Sequence, residues 1–199
     1  MDLKKELDLR IQPWALLRHP FYQAWESGTL PVDALQTYAR EYGAFIGKLP
    51  SGWSLLLDDG TAQEEREHAA LWNEFAAGLE TNVGDPELPA VTALVTKANK
   101  LFSRLETALG ALYAFEIQQP ETAKSKLDGL RKHYNLPKLT EAYFEVHSAN
   151  HHEAAKLLSQ IAMLHPGDCD SALTACAQMS EALWNALTDI YNKHCQNSN

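Results

Sequence analysis

Cysteine is scarce in this 199-residue sequence, which contains only Cys169, Cys176 and Cys195. An odd number of cysteines with no Cys-x-x-Cys pair excludes a disulfide framework and favours a reduced, cytoplasmic protein. No apolar run is long enough to cross a bilayer, and the charged first ten residues do not resemble a secretory signal. The sequence therefore predicts neither a membrane protein nor a disulfide-stabilised secreted domain.

Basic residues are also few. The sequence has 17 Lys and Arg against 26 Asp and Glu, a formal net charge of −9, and its basic residues form no cluster. Nucleic acids and anionic membranes both require a basic face, so we expect neither as a partner. Gly-rich phosphate loops, a dinucleotide fingerprint and a Gly-x-Ser-x-Gly elbow are missing as well, and we expect no nucleotide cofactor.

The sequence has instead a series of helical patterns separated by proline and glycine, with no alternating run long enough for a strand. These patterns predict one all-α domain over residues 1–199, a bundle of seven or eight helices. The expected helices cover residues 2–12, 20–28, 32–49 resuming at 53–57, 61–80, 90–119 with a break near 99, 121–134, 139–164 and 171–194. A turn is expected at residues 166–168.

Two histidines lie on the apolar stripe of the predicted helix 139–164. The stripe consists of Tyr143, Val146, Ala154, Leu158 and Ile161. His147 and His151, four residues apart, fall on the same side of this helix. Buried imidazoles need a hydrogen-bond partner or a metal ion. On this helix alone, two hydrogen-bonded core histidines are the simpler interpretation.

The predicted helix 61–80 also places metal-type residues on its buried face. Stepping back along its apolar line reaches His68 and then Glu65, the Glu-x-x-His spacing that carboxylate-bridged metal sites use in helix bundles. Thr61 and Glu64 form a capping-box pattern at the start of this helix. The alternative for this acidic segment is a solvated first turn that complements the helix dipole.

Glu116 continues a line of leucines on the predicted helix 90–119, namely Leu101, Leu105, Leu109 and Leu112. A carboxylate in this position is costly unless it is paired or bound to a cation, and an ion pair with a neighbouring helix is the alternative. Three helices thus offer nitrogen and carboxylate ligands, which suit iron or manganese, with zinc also open. We expect His68, His147 and Glu116 to converge on one point.

Tyr38, Tyr42 and Phe45 line one side of the predicted helix 32–49. They are candidates for the wall of a pocket that holds a small-molecule substrate. Aromatic residues at this spacing more often belong to plain core, so both interpretations stay open. Assembly as a homodimer also stays open.

Three stretches together carry a resemblance to a known group: HPFYQAWESGTLPVDALQTYAREY, EHAALWNEFAAGL, and ALYAFEIQQPETAKSKLDGL followed by YFEVH. In this order they resemble the TenA/PqqC-like group, closest to the branch of the chlamydial death-domain-associating protein and haem-oxygenase-like metal oxidases. The resemblance implies the haem-oxygenase-like fold, an all-α bundle with a central pocket. It implies a metal-dependent oxidase of a small organic molecule that uses iron, with manganese as the alternative and no haem.

The resemblance maps the metal ligands of this group onto His68, Glu116 and His147, with Glu65 as the best match for a carboxylate ahead of the first histidine. Two other functions stay open on the same scaffold. One is a metal-free protein that binds a small molecule or regulates a partner. The other is a TenA-like pyrimidine hydrolase of thiamin salvage, which relies on a pocket cysteine that has no plausible match here.

The sequence departs from the oxidase pattern after His147. The pattern has an aspartate four residues later and a histidine seven residues later, and these positions hold His151 and Ala154 here. A full set of ligands for a second ion is therefore not evident from the sequence. We expect one metal ion at the mapped ligands, with His151 close to it.

Overall fold

The computed structural model describes residues 2–149 and 152–195, which form eleven α-helices and three short 3-10 turns without any strand among them. The helices are α1 (Leu3–Ile11), α2 (Pro20–Glu26), α3 (Val32–Ile46), α4 (Leu49–Leu55), α5 (Asp59–Gly78), α6 (Pro89–Leu101), α7 (Leu105–Glu116), α8 (Gln119–His133), α9 (Ala142–Ala149), α10 (Glu153–Ile161) and α11 (Pro166–Cys195). The predicted all-α bundle is confirmed, and breaks within predicted helices raise the count above seven or eight. Within the described part of the chain, no helix is both long and apolar enough to cross a membrane.

The single helix expected over residues 139–164 is wrong. A 3-10 turn, Lys138–Thr140, precedes α9, which ends at Ala149, and α10 begins at Glu153. The break shifts the helical phase, so that the buried line of α10 consists of Glu153, Leu157 and Ile161.

The apolar stripe predicted for this segment is therefore only partly correct. Ala154 and Leu158 are half-buried, and Val146 of α9 is 41% exposed because Tyr143 and His147 take the inward positions of that helix. The candidate ligand His151 lies outside the described residues.

The start of α5 also differs from the prediction. Asp58 is its N-cap, and the carboxylate of Asp58 accepts a hydrogen bond from the Thr61 amide at 3.2 Å. The capping box predicted for Thr61 and Glu64 is therefore wrong, and Thr61 is buried inside the first turn. The preceding aspartate performs the same physical task, the pairing of an amide that has no partner within the helix.

Two proline and loop predictions need smaller corrections. Pro166 does not lie in a turn but begins α11, where its missing amide proton costs no hydrogen bond. The break expected near Asn99 lies at residues 102–104, between α6 and α7. As a result Leu105 starts a new helix and is 49% exposed instead of continuing the leucine line.

Helix α7 is the centre of the bundle. Residues 108–116 are all buried, as expected of a segment in which Glu116 is the one charged residue. The 30-residue α11 packs along α7, and α4 and α10 also contact α7. Because α5 packs on α4 and α9, this arrangement brings α5, α7, α9 and α10 into one region of the bundle.

The α7–α11 contact depends on Gly110. A Cβ atom at this position would overlap the backbone carbonyl of Ala172 on α11. We expect Gly110→Ala to destabilise the protein by roughly 3 kcal/mol or more, because neither backbone can yield without moving a whole helix. Urea unfolding measures this change. Gly167→Ala is the matched control, since a Cβ there meets nothing within 4 Å and should leave stability nearly unchanged; equal stability of the two variants would contradict this account of the contact.

Candidate metal centre

His147 on α9 is held as a neutral imidazole. Its Nδ1–H donates to the backbone carbonyl of Tyr143 at 2.8 Å, which leaves a lone pair on Nε2. This Nε2 atom is buried and has no hydrogen-bond partner among the described residues. Burial, and to a smaller extent nearby His68, lowers the pKa of His147 to about 3. A neutral imidazole with a free, oriented nitrogen is the form in which histidine binds metals.

Glu65 and His68 lie one turn apart on α5 and face His147. The distance from His68 Nδ1 to Glu65 Oε1 is 3.0 Å, and the rings of His68 and His147 are 4.4 Å apart between centroids. One ligand atom from each of the three residues lies within 4.8 Å of the others. Burial opposes a charge on His68, but the hydrogen bond to Glu65 and the nearby carboxylates, including Glu153, raise its pKa overall.

Glu116, at the end of α7, lies next to this trio. It is 6% exposed, and its pKa is raised well above the ordinary value, first by burial and then by the charges of Glu65 and Glu153. Trp53 has the opposite effect and lowers the pKa of the same carboxyl group. A carboxyl group held in this way exchanges its proton for a metal ion readily once a cation is present.

Three buried ligand atoms in this region lack hydrogen-bond partners among the described residues: Glu65 Oε2, Glu116 Oε1 and His147 Nε2. A buried polar atom without a partner costs about 1–3 kcal/mol, and more when it is charged. Two oxygens and one imidazole nitrogen form a donor set that fits iron or manganese. These residues therefore fit a metal ion, with His68 as a further nitrogen donor.

Glu153 is the residue at this site that the sequence pattern did not reveal. It begins α10, is 4% exposed, and its charge acts on both His68 and Glu116. The signal that could have found it is the four-residue spacing of Glu153, Leu157 and Ile161. A continuous helix over residues 139–164 hides that spacing, because it sets a different helical phase for these residues.

The three aromatic residues expected to form a pocket wall are all fully buried in the core. Tyr38 and Tyr42 stack with ring centroids 4.9 Å apart, and Phe45 meets the edge of Phe115. Trp72 contacts both Tyr38 and Tyr143, at 5.3 and 4.8 Å between centroids. Tyr143 in turn stacks on the His147 ring, so one aromatic wall connects α3 with the candidate ligands.

A buried lysine lies on the far side of this wall. Lys126 Nζ of α8 is 3.3 Å from the Tyr38 hydroxyl and 3.5 Å from that of Tyr22, and these two hydroxyls are 3.2 Å apart. Burial lowers the pKa of Lys126 to about 7. The amine therefore titrates near neutrality inside an aromatic enclosure that includes Phe144, over whose ring it lies.

Comparison with known proteins identifies relatives of the whole chain. Residues 53–184 match a family described as iron-containing redox enzymes. A 4-aminobenzoate synthase of Chlamydia pneumoniae is 30% identical over 212 aligned positions, which cover 94% of this chain and 93% of that protein. Overlap this extensive leaves little of either chain outside the match.

Solved structures agree on the fold. A TenA homologue of Pseudomonas syringae pv. tomato superimposes with a TM-score of 0.79 at 14% identity, over 96% of this chain and 93% of that chain. A domain of unknown function with a haem oxygenase-like fold from Shewanella denitrificans gives 0.77 at 18% identity, over 100% and 97% of the two chains. The haem-oxygenase-like fold expected from the sequence resemblance is thereby confirmed.

Metal binding should raise the melting temperature. An ion that binds only the folded state at 100 times its Kd adds about 2.7 kcal/mol, which for a chain of this length corresponds to a rise of roughly 5–10 °C. We expect this rise with anaerobic ferrous or manganous ion, and its loss in Glu116→Gln. Glu67→Gln, an exposed carboxylate on α5, is the control that should keep it. An unchanged rise in Glu116→Gln would place the ion elsewhere on this acidic protein.

Burial of Lys126 should make stability depend on pH. The pKa is about 7 in the folded protein and about 10.5 in the unfolded chain, so the unfolded chain binds more protons between these values and wild-type stability rises with pH across this window. We expect Lys126→Met to be more stable than wild type at pH 7 by on the order of a few kcal/mol, with the difference shrinking toward pH 10. Urea unfolding at several pH values measures both. The exposed Lys124→Met should retain the wild-type slope, and a Lys126→Met variant with that same slope would refute the assignment.

Proposed function

The chain belongs to the family of iron-containing redox enzymes, and from this premise we propose that it is an iron-dependent oxidase that forms 4-aminobenzoate. The observation that carries the proposal is the set of three unpaired ligand atoms, from Glu65, Glu116 and His147, buried beside an aromatic enclosure. The name of the Chlamydia pneumoniae relative supports the product, and the near-complete overlap of the two chains supports a shared reaction.

We assign the iron to Glu65, His68, Glu116 and His147. Iron held by these residues would supply the redox chemistry with dioxygen. The hydrogen bond from His147 to the Tyr143 carbonyl keeps the imidazole oriented and neutral. Glu65 orients His68 in the same way, because its carboxylate accepts a hydrogen bond from His68 Nδ1 at 3.0 Å. Both imidazoles are therefore positioned before an ion binds.

We propose that the organic reactant binds beside the aromatic cluster around Lys126. Lys126 can hold or release a proton near pH 7, and the hydroxyls of Tyr22 and Tyr38 are within its reach. Between this cluster and His147, Phe144 contacts Trp72, and Trp72 contacts the Tyr143 ring that stacks on His147. A reaction beside this cluster would be shielded from bulk solvent, and Lys126 is a buried group there that can carry a proton near pH 7.

The two alternative functions are not favoured. A thiol hydrolase needs an activated cysteine, yet burial raises the pKa of Cys176 to about 12, and Cys169 and Cys195 lie on the same helix with raised pKa values. A metal-free binding protein would leave the buried atoms of Glu116 and His147 unsatisfied without any compensating role.

Growth of a bacterial strain that cannot make 4-aminobenzoate tests the proposal even while the substrate is unidentified. We expect the wild-type chain to restore growth on medium lacking 4-aminobenzoate. His147→Ala should abolish growth, because it removes an oriented ligand, and Lys126→Met should reduce growth at least tenfold in rate or yield. Glu67→Gln should behave as wild type.

The same cultures separate the two parts of the proposal. The purified wild-type protein is assayed for bound iron after anaerobic reconstitution. Iron binding without rescue of growth would reject 4-aminobenzoate as the product while leaving the iron site intact. Rescue by His147→Ala equal to that of wild type would reject the ligand assignment.

A further inference from the structure

Trp53 of α4 is buried together with a polar group that packing alone does not explain. The residue is 0% exposed, and its indole Nε1 has no hydrogen-bond partner among the described residues. A buried donor without a partner costs about 1–3 kcal/mol, and a phenylalanine ring fills core space without that cost. The N–H of Trp53 therefore calls for an explanation other than core packing.

Helix α4 places this indole beside the end of α7, where Glu116 lies. Gly52, the residue before Trp53, packs so closely on α7 that a Cβ atom there would lie 3.2 Å from the Leu112 side chain. Leu112 is one helical turn before Glu116. Two neighbouring residues of α4 thus contact the last turns of α7.

The indole N–H acts on the Glu116 carboxyl group. Burial, Glu65 and Glu153 all raise the pKa of this group, whereas Trp53 lowers it and so favours the charged form. Glu116 Oε1 and Trp53 Nε1 are nevertheless both without a partner at hydrogen-bond distance among the described residues. The donor and the carboxylate are therefore close enough to interact, and a small movement of the carboxylate completes a hydrogen bond between them.

A second contact holds the indole ring from the opposite side of the site. Lys156 Nζ of α10 lies 5.7 Å from the centroid of the Trp53 ring, within the range of a cation–π interaction. The same ammonium group forms an ion pair with Asp58 and donates to Thr61 Oγ1 at 3.2 Å, so it is anchored to the start of α5. The orientation of the indole is thus set by α7 and α10 together.

We propose that Trp53 is a positioning residue of the metal centre, whose indole N–H donates to one carboxylate oxygen of Glu116 and directs the other oxygen toward the ion. The inference rests on the metal site of the proposed function. Carboxylates that bind metal ions are themselves held by hydrogen bonds, because a ligand that binds through one oxygen needs a donor for the other. The proposal gives a use to two buried atoms that the core leaves unpaired, one on Trp53 and one on Glu116.

A purely structural role for Trp53 makes a different prediction. Under that interpretation, a smaller ring lowers the stability of the fold and leaves the affinity for metal ions unchanged in the folded variant. Trp25 of α2 offers a matched comparison, since it is also 0% exposed and its Nε1 also lacks a partner among the described residues. The Trp25 ring packs against Phe75 and Phe144, which are not candidate ligands.

The test is the affinity for manganous ion, measured anaerobically from the electron paramagnetic resonance signal of the free ion during titration. We expect Kd to rise by about 10–100-fold in Trp53→Phe and by less than about twofold in Trp25→Phe. The melting temperatures of the two ion-free variants should fall by similar amounts, because each loses the same part of a buried ring.

Two further measurements separate the N–H from the ring that carries it. Cobaltous ion has visible absorption bands that depend on ligand geometry, and we expect Trp53→Phe to change these bands and Trp25→Phe to leave them as in wild type. Benzothienylalanine at position 53 keeps a bicyclic ring with sulfur in place of the N–H. It should weaken manganese binding as much as Trp53→Phe does, with little loss of stability, and it serves as the test if the Phe variant does not fold.

The possible results distinguish this inference from the proposed function. Manganese affinity equal to that of wild type in Trp53→Phe or in the benzothienylalanine protein would overturn the role of the N–H and leave the metal site intact. Equal losses of affinity in Trp53→Phe and Trp25→Phe would overturn it as well, because a loosened core would then explain both. A wild-type protein that binds neither manganous nor ferrous ion would instead remove the metal site on which the proposed function depends.

Discussion

The constraint on which the centre of this molecule depends is the burial of ligand atoms that the surrounding protein does not satisfy. Glu116 Oε1 and His147 Nε2 are buried and have no hydrogen-bond partner among the described residues, and the Tyr143 ring stacks on that of His147. Such atoms lower the stability of the fold, and a cation bound to them would offset that cost. The hydrogen bond from His147 Nδ1 to the Tyr143 carbonyl orients the imidazole, so that Nε2 is the nitrogen that faces the site.

Burial in the core shifts the pKa values of Glu116 and Lys126 in opposite directions. Burial raises the pKa of Glu116 and lowers that of Lys126, and in both cases it favours the neutral form of the side chain. One group lies at the ligand cluster and the other lies beyond the wall formed by Trp72 and Tyr38. Burial in the core thus favours the neutral forms of Glu116 and Lys126 at two separate places.

Helical periodicity predicts that Glu65, His68, Glu116 and His147 are buried, because each interrupts an apolar line with a polar side chain. It does not find Glu153, since α10 begins at Glu153 as a separate helix whose phase does not continue that of α9. The burial of Lys126 is not predicted for a different reason. A lysine among charged neighbours on α8 has the pattern of a surface residue. Only tertiary packing against α2 and α9 makes it a buried one.

The fold does not by itself select a function, since structures of this shape at 14–18% identity include a TenA homologue and a domain of unknown function. The discriminating feature is the donor set gathered from α5, α7 and α9, which are far apart in the sequence. An ion bound as proposed by Glu65, Glu116 and His147 would connect these three helices, so its binding free energy would become part of the stability of the whole bundle. Because Tyr143 stacks on His147 and also contacts Trp72, the packing that orients this imidazole is continuous with the aromatic core.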